Sequence, residues 1–172
     1  MVSARDLFEE GVWHAAKGDS LRAEQYLSAA RDRGFPSNEV VPWLVAACVA
    51  SSRYRAALAH AARHLRQHPS DSSVRLVVAN IYDALGDFGN ARIELQRIVE
   101  EDPKNALSHY RLGLLYEERF QAHELATRHL SMYRQLDPKG EHVAEVEAIL
   151  AGFSTARAGG SIFHTLTDES SR

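Results

Sequence analysis

Histidines recur every fourth residue at His60, His64 and His68, so on a helix they stand on neighbouring turns of one face. Two imidazoles at that spacing can chelate zinc. A structural zinc site takes four ligands, however, and no cysteine or carboxylate cluster follows at a ligand-like interval. The pattern therefore reads as one packed histidine, His64, with His60 and His68 more exposed. Cys48 is the other candidate for chemistry. It lies within the apolar run "VVPWLVAACVA", residues 40–50, and a thiol buried in such surroundings is a packing group, not a nucleophile. Glu100-Glu101 and Glu117-Glu118 are consecutive, so on helices they diverge into solvent. No phosphate-binding glycine loop, nucleophile elbow or metalloprotease pair occurs. The expectation is a protein that is no enzyme, with no catalytic residue, no metal and no cofactor, and whose work is done by a surface.

Composition narrows which surface. The 172 residues are enough for one domain with a sizeable core, and 45% hydrophobic content suits a globular chain. With 20 basic and 23 acidic residues, the net charge of -3 argues against nucleic acid as a partner. A single cysteine rules out a disulfide within the chain. The start, "MVSARDLFEEGVW", has acids where a signal peptide would be apolar, which predicts a cytoplasmic protein. The run around Trp43 ends at Glu39 on one side and at Ser51-Ser52-Arg53 on the other. It is shorter than the ~20 apolar residues that span a bilayer, so direct membrane insertion is not expected.

What positions these residues is a repeat. "KGDSLRAEQYLSAARDRGFP" (17–36), "SSRYRAALAHAARHLRQHP" (51–69) and "LGDFGNARIELQRIVEEDP" (85–103) each run from a turn to alanine at a fixed offset, then a helix-period apolar stretch, then proline. In steps of about 34 residues, small residues fall into columns. One column holds Gly11, Val45, Ala79 and Gly113. A second holds Ala23, Ala57, Ala91 and, after a one-residue slip, Ala126. Small residues let paired helices approach closely, glycines such as Gly18 and Gly86 close the turns, and the prolines fall between units. "VVPWLVAACVA" then becomes the first helix of the second unit, apolar nearly all round because repeats flank it. Ser37 or Asn38 can cap it, with Pro42 at or just past its first turn.

These residues, above all "YRLGLLY" (110–116) and "GDFGNARIELQRIVEEDP" (86–103), resemble the tetratricopeptide repeat family, over residues 4 to about 140. The resemblance implies an all-α, right-handed solenoid of four helix pairs, 4–37, 38–71, 72–105 and 106–140. A capping helix over 141–153 and a flexible tail over 154–172 would follow. Glu10, Arg75 and His109 depart from the family's apolar pattern and should be solvated or paired. His14 shares a column with Cys48, Tyr82 and Tyr116 and is expected to be a core histidine.

In this family the first helices line a concave groove that commonly receives a peptide or helix. The corresponding positions here are Phe8, Val12, Trp43, Ala46, Val49, Leu76, Asn80, Asp83, Tyr110, Leu114 and Glu117, with Trp43 expected at the centre. One branch of the family clamps a chaperone's terminal carboxylate with Lys, Asn and Arg. Phe8, Val12, Trp43, Ser73 and Val77 occupy those places here, so that clamp is absent. Two functions fit such a groove. One is an adaptor or scaffold holding a protein or peptide partner, as in bacterial pilus, secretion or motility assemblies. The other is a chaperone-like holder or regulator masking an apolar segment. The tail segment "SIFHTL" is apolar enough to compete for the groove. The identity of the partner and the oligomeric state are not legible.

Overall fold

The computed structural model describes residues 2–153. The tail over 154–172, with its expected flexibility and docking, lies outside the described residues. Among the described residues the protein is all-α. Eight helices run in order: α1 (Ala4–Ala16), α2 (Ser20–Asp32), α3 (Ser37–Ala50), α4 (Tyr54–Gln67), α5 (Ser72–Ala84), α6 (Phe88–Glu101), α7 (Ala106–Glu118) and α8 (His123–Leu136). A further helix, α9, occupies 143–153. None of the described helices is long and apolar enough to cross a membrane.

The turns between paired helices repeat one backbone device. Gly18, Ser52, Gly86 and Gln121 all adopt positive φ, at 78°, 57°, 76° and 50°. Left-handed backbone is free of side-chain clash only for glycine, so Ser52 and Gln121 hold the turn at a cost. Short polar side chains then start the next helices. Asp19 accepts from the Arg22 amide, Asp71 from Val74 and Asn105 from Ser108, while Ser3 and Asp6 form a reciprocal capping box on α1. The start of α3 differs from expectation. Pro36 is its N-cap with no side-chain cap bond, because Ser37 lies inside the helix and its hydroxyl is engaged by His64 Nδ1 at 2.8 Å. Pro42 sits inside α3, just past its first turn as expected.

The chain divides within α6 into two compact units, one up to Glu94 and the other from Leu95. In the first, Ala23 and Leu27 of α2 pack with Val40, Leu44 and Ala47 of α3, and Phe8, Val12 and Phe35 close over them. Phe8 stacks on Phe35 with centroids 4.4 Å apart. The other face of α3 (Val41, Val45, Cys48) packs with Ala57 and Ala61 of α4 and with Val74, Val78 and Ile81 of α5. Two sides buried against different neighbours explain why the sequence of α3 is apolar nearly all round. In the second unit, Leu130 and Tyr133 of α8, Tyr110 of α7 and Val146 of α9 form the core.

Glycine is required where paired helices touch. A Cβ on Gly11 would stand 2.6 Å from Leu27 Cγ, and one on Gly113 would stand 2.5 Å from Leu130 Cγ. The three polar residues at apolar positions are accommodated as chemistry demands. Glu10 is exposed. Arg75 is buried but paired, its Nη1 donating to Glu94 at 2.6 Å and its Nη2 to the Pro69 carbonyl. His109, also buried, bonds the Pro103 carbonyl at 3.1 Å and His129 Nδ1 at 3.0 Å.

Candidate functional site

The first helices of the amino-terminal unit lie side by side, α3 against both α1 and α5. On α3, Val40, Val41, Leu44, Val45, Ala47 and Cys48 face inward. The same spacing turns Glu39, Trp43, Ala46 and Ala50 outward along one stripe, since residues three and four apart share a helix face. Trp43 is 40% exposed, a large apolar surface left open in the middle helix of three. Phe8 and Val12 on α1, Val49 on α3 and Leu76 on α5 are half-buried, while Asn80 and Asp83 are exposed.

Tyr110 departs from expectation. It is only 5% exposed, so it is not a surface contact. Its ring stacks on His142 at 4.0 Å with planes 2° apart, and its hydroxyl donates to Glu145 of α9 at 2.7 Å. Burial, then the neighbouring Glu145 carboxylate, pushes the phenol up to about 12. The residue is a tie between α7 and α9. Leu114 is partly covered by the same cluster, and Glu117 accepts from His123 at 2.7 Å.

Trp13 was not among the expected contacts. It is 55% exposed, lining an open cavity with Asp6, Glu9 and Glu10. The available signal was a tryptophan three, four and seven residues from acids on an otherwise polar helix face.

A cluster that linear spacing did not foretell joins three helices: Glu24 of α2, Cys48 of α3 and His60 of α4 bring their ligand atoms within 4.8 Å of one another. This corrects the expectation that His60 is an exposed histidine; the set comes from three helices, so no ligand-like interval in the sequence announces it. The donor set does not suit a cation. Arg31 Nη1 donates to His60 Nδ1 at 2.9 Å, which places the ring proton on Nε2, the atom facing Glu24 Oε1 at 3.1 Å. A metal-bound imidazole needs the reverse, a bare nitrogen toward the metal and an acceptor behind the ring. Arg53 also bonds Glu24. Although burial acts to raise it, hydrogen bonding from His60 and the Arg53 charge hold the Glu24 carboxyl below its usual range. Burial, with the Glu24 carboxylate beside it, pushes the Cys48 thiol up to about 11, which favours the protonated thiol over the reactive thiolate. The cluster is a half-buried polar knot binding α2, α3 and α4. His64, fully buried, is held between Ser37 and the Asp71 carboxylate, the latter at 2.8 Å. His14 is 7% exposed, stacked on Tyr26 and 3.7 Å from Asp19.

Residues 49–115 match the tetratricopeptide repeat family model. No curated protein matches the sequence. Solved structures of similar fold include a tetratricopeptide repeat protein from Parabacteroides merdae, 23% identical with a TM-score of 0.79, covering 98% of this chain and 67% of that one. MamA from Desulfovibrio magneticus is 19% identical with a TM-score of 0.68, over 81% of this chain and 78% of its own. YrrB, described as a TPR protein with an unusual peptide-binding site, is 18% identical with a TM-score of 0.69, over 86% and 75%. The fold these share is a scaffold for protein–protein interaction, typically without catalysis of its own. Residues 49–115 thus match the tetratricopeptide repeat model, and the chain shares its fold with solved tetratricopeptide repeat structures over most of its length.

Proposed function

We propose that this protein is a non-catalytic adaptor that holds an apolar peptide or helix of a partner protein on the outward face of α1, α3 and α5. The observation that carries the reading is Trp43, 40% exposed on the middle helix of the three. Phe8 and Val12 extend the apolar floor on one side, Ala46 and Val49 lie along α3, and Leu76 extends it on the other. An aromatic anchor amid such a floor is the usual energetic centre of a protein interface, and an amphipathic helix or an extended apolar strand is the occupant that fits. Exposed Glu39 and Asp83 favour a basic residue on the ligand's flank and disfavour nucleic acid. YrrB, similar in fold, is described as a peptide-binding protein, which supports a peptide as the ligand class here.

The test is site-specific photo-crosslinking from Ala46 in the native cell, followed by affinity measurement with the captured partner's segment. Trp43→Ala should weaken binding at least tenfold, as expected for an anchor worth about 2 kcal/mol. Helical content and unfolding midpoint should stay near wild type. Asp83→Ala should cost less, with the loss shrinking at high salt. Unchanged affinity in Trp43→Ala refutes the site. Comparable affinity for many unrelated apolar peptides would identify a chaperone-like holder instead.

A further inference from the structure

The second helices of the amino-terminal unit carry chemistry of another kind. Between the end of α2 and the face of α4 lies a cleft of about 220 Å³, with polar walls built from Arg31, Ser37, His60, Arg63, His64 and Gln67. Its two histidines are committed on both nitrogens. His60 is held between Arg31 and Glu24, and His64 between Ser37 and Asp71. They are fixed wall and not available acceptors. Their effect falls on Arg31, whose side chain is only 12% exposed. Its Nη1 is anchored on His60 at 2.9 Å and its Nε on Asp32 at 3.2 Å, which fixes the guanidinium plane and leaves Nη2 as a free donor. Arg63 stands opposite. Among the described residues its partner is the same Asp32 oxygen, at a long 3.4 Å, which leaves Nε and Nη2 free there.

The charges do not cancel. Two guanidinium groups share one carboxylate, Asp32, which is itself 55% exposed at the rim. Of the acids behind the walls, Glu24 is paired with Arg53 and Asp71 lies beyond the far edge of the His64 ring. The groups left over in the cleft are donors: Arg31 Nη2, the Nε–Nη2 fork of Arg63 and the Gln67 amide nitrogen. A planar carboxylate is satisfied by one fork. A fork from α4 together with a separate donor, Arg31 Nη2, from α2 suits a tetrahedral oxyanion that accepts on several sides.

We propose that this cleft is an oxyanion site that takes a phosphate group, as the free ion or as a monoester on a small molecule. The site is separate from the apolar face of α1, α3 and α5 and is independent of what binds there. Asp32 acts in it as an internal competitor, orienting both arginines until a ligand with more acceptors replaces it.

The test is an NMR titration of the isotopically labelled full chain, following arginine Nε–H and glutamine side-chain signals. Sodium phosphate, phenyl phosphate and sodium acetate are compared with sodium chloride at matched ionic strength. The expected result is a saturable one-to-one shift with phosphate at a dissociation constant of about 1 mM. Arg63→Gln should weaken it by at least ~10-fold without loss of fold, since that side chain is half in solvent. Asp32→Asn should tighten it several-fold by removing the competing carboxylate. Equal binding of phenyl phosphate shows that the site accepts esters, and binding of inorganic phosphate alone limits it to the free ion. Shifts that merely follow chloride, equal affinity for acetate, or binding indifferent to Arg63→Gln would each overturn the proposal.

Discussion

Adding one methyl group at Gly113 should loosen the α7–α8 pair, although alanine is the better helix former by about 1 kcal/mol. The new Cβ would lie 2.4 Å from Leu130 Cδ2, 2.5 Å from its Cγ and 3.2 Å from its backbone nitrogen. Carbon atoms in contact sit about 3.5–4.0 Å apart, so something must move by about 1 Å. Because Cγ is the branch point, turning the end of the leucine does not relieve the clash. Leu130 is fully buried, so it cannot yield by swinging out into solvent. Overpacking of this kind costs about 1–3 kcal/mol, and here the upper end applies because a backbone atom is also approached. With the propensity gain subtracted, the net loss is about 2 kcal/mol. Repeat arrays do not melt as one unit, so native-state hydrogen exchange of α7 and α8 amides is the appropriate assay. Protection should fall about 30-fold, the equivalent of 2 kcal/mol. Leu130→Ala, which alone costs about 2–5 kcal/mol, should cost clearly less in the Gly113→Ala background, where the added methyl already occupies part of the vacancy. Gly89→Ala is the control, since its Cβ would meet only Asp87 Oδ1, at 3.9 Å. A Gly113→Ala protein as protected as wild type, or strictly additive substitutions, would refute the close-packing argument.

The left-handed turns predict gains: Ser52→Gly and Gln121→Gly should each stabilise by about 1 kcal/mol, seen as a higher urea midpoint, because their φ values of 57° and 50° suit glycine. Glu94→Ala should cost about 3–5 kcal/mol by leaving the buried Arg75 guanidinium without its carboxylate, and Arg75→Met with Glu94→Leu should recover most of that in the same melt. His129 predicts a pH dependence, for burial, then the neighbouring His109, pulls its imidazole down to about 4 from an ordinary 6.5. The unfolded chain therefore takes up this proton first. Stability is complete above about pH 6.5, is lost as pH falls toward 4, and levels off below. Allowing for partial solvation of the ring, the loss is about 1–2 kcal/mol, and His129→Phe should flatten the profile of α7–α8 exchange protection between those limits.

The helices and their close contacts were legible because they follow from local pattern. Gly11 and Gly113 stand three repeats apart in one column, and each meets a leucine of the following helix as a small residue in that column should. The buried thiol of Cys48 follows in the same way from its place in an apolar run. Where the structure departs from local pattern, a distant residue decides the outcome in every case but Trp13. Ser37 could cap α3 by its type, but His64, on another helix, takes its hydroxyl. Tyr110 occupies a groove position of the repeat, yet α9 tucks over it, and the path of the chain after Pro138 is not written in any local periodicity. His60 looked solvated on its own helix, and only the approach of α2 supplies Glu24 and Arg31. Trp13 lay on a face too polar for a pattern of apolar residues to select it.

The burial of Cys48 makes the protein its own clock. It is the sole thiol in the sequence, fully enclosed where α2, α3 and α4 meet, with an ionisation near 11 that keeps it unreactive while closed. An alkylating or disulfide reagent can reach it only after these helices part, so each labelling event records one opening. When reclosing outruns labelling, the rate reports the equilibrium fraction of molecules with this junction open. When labelling outruns reclosing, it reports the opening rate itself. A ligand seated on Trp43, one helical turn and a fraction from the sulfur along α3, would slow that clock, and a ligand bound elsewhere in the chain would slow it only as far as it is coupled to this junction.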